Sequence, residues 1–150
     1  MTDELKRLEQ LDETDAQRAT KREQFAELLG SIMGSIVEAL PDALVVVNDE
    51  GIIVLVNAQT EFLFGYHRSE LVDHKVEMLI PERVREKHEQ HRGGYMERPT
   101  IRTMGANLQL SGRRKNGMEV PLEIMLSPMV TKLGVYSLAI IRRAVRDAGR

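Results

Sequence analysis

The chain of 150 residues contains no cysteine and no tryptophan, and only three tyrosines and three phenylalanines. Without thiols it can form no disulfide, no thiolate metal site, no thiol nucleophile and no cofactor linkage through sulfur. So few aromatic rings leave little on which nucleobases could stack. An excess of one charge is also missing: the formal net charge is −2, so no global basic field exists to hold nucleic acid or anionic lipid. No apolar run approaches the roughly 18 residues of a membrane span, and charge begins at Asp3, unlike a signal peptide. The expected location is therefore the cytoplasm, with no membrane partner. Enzyme signatures are absent too: there is no Gly-x-Ser-x-Gly elbow, phosphate-binding glycine-rich loop or zinc motif. A non-enzymatic protein is expected.

What is present is a hydrophobic fraction of 42%, enough for one core of ordinary size with an appendage. Residues up to about Leu40 are rich in Glu, Lys, Arg, Gln, Leu and Ala, which lose least on entering a helix. Alternate steps of three and four from Leu5 give Leu8, Asp12, Asp15, Ala19, Arg22, Ala26, Leu29, Met33, Ile36 and Leu40. A second helix covers so narrow a stripe, and dimerisation through Leu29, Met33, Ile36 and Leu40 is the simplest supply. Packing of the same helix on its own domain is the alternative. The segment reads as one long helix or as two in series, the second started by a capping box of Thr14 with Gln17 at the polar interruption of Asp12 and Asp15. Gly30-Ser31 and Gly34-Ser35 are expected to let two backbones approach closely.

Pro41 and Asp42 end the helix. The β-branched runs Ala43 to Asn48 and Ile52 to Asn57, joined by Asp49-Glu50-Gly51, predict a hairpin. Asn57 is placed to cap a short helix that Gly65 stops. A second helical piece starts at Ser69, and Ile80-Pro81-Glu82 opens a longer helix reaching about Met96 and closed by Pro99. Strands follow over Asn107–Gly112, Val120–Met129 and Val135–Ala144, with Lys115-Asn116-Gly117 and Leu133-Gly134 as turns.

This order, with the stretch ALPDALVVVNDEGIIVLVNAQTEFLFGY, the helix opening LIPERVREKH and the hairpin GRRKNGMEVPLEI, is similar to the PAS family over roughly residues 36 to 144. The resemblance implies an α+β fold: a five-stranded antiparallel sheet with short helices on one face enclosing a pocket, preceded here by the long N-terminal helix. The expected organisation is a dimerisation helix over 1–40, the PAS domain over 41–144 and a tail over 145–150. The implied function is a sensory module that relays ligand or partner binding as a homodimer, to a signalling protein such as a histidine kinase. Arg143-Ala144-Val145-Arg146-Asp147 stands where many relatives carry an Asp-Ile-Thr-type junction to an output helix.

The absent cysteine removes the cysteinyl-flavin and thiol-tethered chromophore chemistries of related domains, and the absent tryptophan weakens a flavin adenine dinucleotide reading. Haem is the sharpest cofactor expectation. The segment Ile80 to His88 resembles the helix of haem-bearing PAS domains in rhizobial oxygen-sensing kinases, and by position His88 is the candidate axial ligand to iron. Ile124 and Leu126 fall where those sensors place an aliphatic wall, with Met104 a further wall residue. Leu108 falls where they use an arginine, and Arg102 is nearby. His91, three residues after His88, is the other histidine that could face inward. A ligand-free interaction module is the remaining alternative.

Other groupings have plainer readings. His67 and His74, with Asp73, lack the thiolate and third ligand of a metal site. Arg113-Arg114-Lys115 sits at a hairpin turn, where charge keeps an edge soluble. Glu82, Glu86 and Glu89 are expected to be solvated or paired with Arg85 and Lys87. Met78, Met96, Met104, Met125 and Met129 are expected to fill the core or a pocket wall.

Overall fold

The computed structural model describes residues 2–97, 102–104 and 110–145, with backbone alone for 11–13, 95–97 and 102–104. Pro99 and Leu108 lie outside the described residues, and of Met104 only the backbone is described. The chain divides into two compact units, with the boundary between Ala39 and Leu40.

The first unit is one helix, α1, Thr2–Ala39, about 57 Å long at 1.5 Å per residue. Asp3 and Glu4 in its first turn favour the positive end of the helix dipole. Of the two readings, one helix or two in series, the single helix is the one found, with no break at Thr14. The Thr14 hydroxyl donates to the Gln10 carbonyl at 2.6 Å, one turn back in the same helix, so it is not free to cap a new one.

The second unit is built on an antiparallel sheet whose spatial order is β2-β1-β6-β5-β3, with β4 also paired to β5. Its strands are β1 (Ala43–Val47), β2 (Ile53–Val56), β3 (Arg102–Met104), β4 (Leu110–Arg113), β5 (Glu119–Thr131) and β6 (Gly134–Arg143). β3 pairs with β5 at Leu126, Met125 and Ile124, and β4 with Leu122 to Glu119. The two short segments thus share one edge of β5, and the six strands fill five positions. β3 is an addition to the expected set; at three residues it is too short to show an alternation.

Side-chain alternation along β5 sets the two faces. Val120 and Leu122 are buried and Ile124 packs against them in the core, together with Ala43, Val45, Val47, Ile53, Val56 and Ile141 from the neighbouring strands. Met125 and Met129 point the other way and are exposed, which corrects the expectation that they fill the core. Met78 does pack against it.

Between β2 and β3 run α2 (Ala58–Phe64), α3 (Arg68–Leu71), 3-10 turns over Val76–Leu79 and Glu82–Val84, and α4 (Arg85–Glu97). Asn57 caps α2 as expected: its side-chain oxygen accepts the Thr60 amide at 3.2 Å and the Leu44 amide at 3.0 Å, while its nitrogen donates to the Asp42 carbonyl at 3.0 Å. One buried amide therefore ties the helix start to the first strand and to the joint after α1. Gly65 ends α2 in the left-handed region, φ 79°, where only glycine is unstrained.

Candidate functional site

The segment following β2 controls the site. The Asp73 amide donates to the Ile53 carbonyl and the Ile53 amide to the His74 carbonyl, each at 2.9 Å, and the Val76 amide donates to the Gly51 carbonyl at 2.9 Å. The chain thus runs beside β2 and its turn before coiling into the 3-10 turn Val76–Leu79, which buries Glu77 and Leu79.

Glu77 is a carboxylate only 3% exposed, and α4 brings it two partners. Arg92 Nε donates to Glu77 Oε1 at 2.7 Å, and His88 Nδ1 lies 3.4 Å from the same oxygen. Oε2 of Glu77 is buried without a hydrogen-bond partner. The Arg92 guanidinium lies over Gly51, at the place a β-carbon would occupy, and Gly51 has φ 78°. Glycine is needed there twice, for its backbone angle and for the room it leaves the arginine.

Burial opposes charge on Glu77, but the Arg92 hydrogen bond, Glu77's own backbone amide and the nearby charges of Arg92 and His88 outweigh it, and the carboxyl titrates below its usual range. Burial dominates at His88 and lowers its pKa, against the opposing pull of Glu77 and with help from Arg92 and His91. The result is an ionised buried carboxylate beside a neutral imidazole. His88 Nε2 makes no hydrogen bond among the described residues.

Of the two histidines on α4, His88 is half-buried and His91 exposed. Ile124 and Leu126 share the inward face of β5 and are half-buried; they stand opposite Met104 and Arg102 of β3 in the sheet register. Glu77 and Arg92 were not singled out from sequence. The available signal was the lone acid in the apolar segment Val76-Glu77-Met78-Leu79; its arginine, fifteen residues on, had none.

On α1, Leu28, Leu29, Ile32, Met33 and Ile36 are each between 47% and 58% exposed, and Phe25 is 65% exposed. At 100° per residue these six share one arc about 140° wide. Phe25, Leu28 and Ile32 widen the expected row, and their spacing by three and four was legible. Leu40 lies past the end of α1 and is half-buried, so it is not part of the exposed row. Gly30 and Gly34 have open space around them and fall outside the arc.

The remaining groupings are structural. His67 caps α3, its Nδ1 accepting the Ser69 amide at 3.2 Å. His74 Nδ1 donates to the Val72 carbonyl at 3.0 Å. No metal-holding group of three or more ligands occurs among the described residues. Lys115 pairs with Glu70 and sits 5.9 Å above the Tyr66 ring. Glu82 and Glu86 are exposed, and Glu89 lies 3.9 Å from Lys75 rather than pairing along its own helix. No helix of the described residues is long and apolar enough to cross a membrane.

Comparison with known proteins agrees with the architecture. A family model described as the PAS fold matches residues 32–144, and the chain belongs to this family. It is 28% identical over 108 residues to the sensor protein FixL of Bradyrhizobium diazoefficiens, covering 72% of this chain and 21% of that protein. It is 28% identical over 131 residues to the oxygen sensor protein DosP of Escherichia coli, covering 87% of this chain and 15% of that protein. The chain thus corresponds to about a fifth or less of these relatives. Among solved structures, the PAS domain of an HTR-like protein from Haloarcula marismortui superimposes with TM-score 0.70 at 22% identity, covering 83% of this chain and 99% of that one. The fold is that of a PAS sensory domain.

Proposed function

We propose that this chain is the sensing part of a homodimer, pairing through α1 and relaying occupancy or partner binding at its PAS domain to an effector such as a histidine kinase. The observation that carries the reading is the exposed arc of Phe25, Leu28, Leu29, Ile32, Met33 and Ile36. Such an arc calls for a covering surface, and a second copy supplies a matching face. A relay then requires the stimulus to favour one helix arrangement over another. Replacing Met33 and Ile36 together with Glu tests it: sedimentation should show monomers, and a persistent dimer rejects this interface.

A second reading, haem-based sensing of a gas or of redox state, is favoured by the surroundings of His88. A haem ligand must be a neutral imidazole that donates from one nitrogen and offers the other to iron. His88 is half-buried, has Nδ1 beside a carboxylate and leaves Nε2 without a partner among the described residues, so this donor fits. Ile124 and Leu126 would supply an apolar wall. Haem, when bound, would supply an iron centre whose ligand or redox state changes. The similarity to DosP, an oxygen sensor by name, supports the same reading. Protein loaded with haemin should show a Soret band that His88→Ala abolishes; a colourless protein with no pocket occupant would favour a ligand-free interaction module.

A further inference from the structure

We propose that Glu77 is a positioning residue for His88, holding the imidazole in the tautomer with its proton on Nδ1 so that a bare Nε2 lone pair faces a Lewis acid. For the loaded protein this rests on the haem reading above; for the protein alone it rests only on the geometry.

The reasoning begins with the acceptor. An ionised carboxylate can only accept hydrogen bonds, and Arg92, donating at 2.7 Å, keeps Glu77 ionised. The ring nitrogen of His88 that lies 3.4 Å from Glu77 Oε1 must then carry the proton, because two lone pairs facing each other in a buried place would repel. A neutral imidazole has a single ring proton, so placing it on Nδ1 strips Nε2. The common solution in metal sites is the same: a ligating histidine donates its other ring N–H to a carboxylate or carbonyl, which fixes its orientation and makes it a stronger donor. Arg92 completes the arrangement. Its packing over Gly51 and its hydrogen bond to Glu77 fix α4, and therefore His88, against the β1–β2 turn.

The test starts from the full chain, labelled with nitrogen-15 and without haem. Long-range proton–nitrogen correlations at pH 8 report which ring nitrogen carries the proton, and loss of one signal set in His88→Gln assigns His88 among the four histidines. The expected result is a His88 protonated on Nδ1 in the wild type and in Glu77→Gln, whose side-chain carbonyl still accepts, but not in Glu77→Ala. A wild-type His88 protonated on Nε2 overturns the proposal by itself, whether or not Glu77→Ala folds, and so does a tautomer that Glu77→Ala leaves unchanged.

Haemin is then added to wild type and Glu77→Gln. Loss of the negative charge should lower the iron–histidine stretching frequency and shift the midpoint potential upward; identical values in both proteins overturn the electrostatic half of the proposal. A wild type that takes up no haemin refutes the haem reading, and the tautomer result then decides the role of Glu77 separately.

Discussion

α1 carries six apolar side chains on one arc and buries none of them deeply, whereas residues 85–94 of α4 include no aliphatic or aromatic hydrocarbon side chain and yet are firmly attached to their domain. α4 is held by charge and polarity: Arg92 on buried Glu77, His88 beside the same carboxylate, Arg85 Nε on the Ile80 carbonyl at 2.9 Å, and Lys75 3.9 Å from Glu89. The difference shows what each kind of surface demands. An apolar arc is non-directional and is satisfied by any matching greasy face, which suits an interface between copies. A buried ionic anchor is directional and fails if one partner moves, which suits a helix that must hold one side chain in one orientation.

The contrast can be broken from either side. The largest effect is expected on α1, where the pair Met33→Glu and Ile36→Glu should weaken self-association on the order of 100-fold or more while leaving the melting of the PAS unit unchanged, as read by sedimentation and calorimetry. Next comes the anchor of α4. Arg92→Ala leaves Glu77 charged, buried and alone, and should cost about 3 kcal/mol of stability in denaturant unfolding. Adding Glu77→Gln to that variant should recover part of the loss, because the stranded charge is gone. A smaller loss, about 1–2 kcal/mol, is expected for Gly51→Ala, which combines a disfavoured positive φ with displacement of the Arg92 guanidinium.

A surface pair provides the contrasting small effect. Arg68 holds Glu61 through its guanidinium and its backbone amide, and the side-chain hydrogen bond from Arg68 depresses the Glu61 pKa, against a smaller opposing effect of burial. A folded pKa below the unfolded value means that the unfolded chain binds more protons. The pair's contribution is therefore fully present above the ordinary carboxyl range and is lost as pH falls from there through the lowered folded value. Glu61→Gln should cost about 0.5 kcal/mol at neutral pH and less than that in acid, seen as a shallower acid limb of the stability curve.

How much was legible in the sequence varies with the range of the interaction. Asn57, Gly65 and Lys115-Asn116-Gly117 act on backbone within a few residues of themselves, and a cap, a left-handed stop and a tight turn could be read directly. The long strands β5 and β6 showed themselves by alternation. β3 did not, because three residues are too few to display a period. Thr14 left one helix or two open because a hydroxyl can serve either as a cap or as a bond to the preceding turn, and in a helix that continues on both sides the second wins. The least legible feature was the group around Glu77. Ion pairs between residues 77 and 92 depend on how the turn after β2 folds back on Gly51, and no periodicity encodes that. His88 was named from a resemblance, but its carboxylate partner became visible only in three dimensions.

The claim on which the relay depends is that two α1 helices lie side by side. Because the chain has no cysteine, Gln24→Cys gives a single spin label on α1, outside the apolar arc. Pulsed dipolar spectroscopy should then report an intermolecular distance of about 30 Å or less, as expected for parallel helices packed 8–10 Å apart. A full chain that gives no intermolecular dipolar signal at concentrations where sedimentation is complete as a 17.0 kDa species would contradict the account.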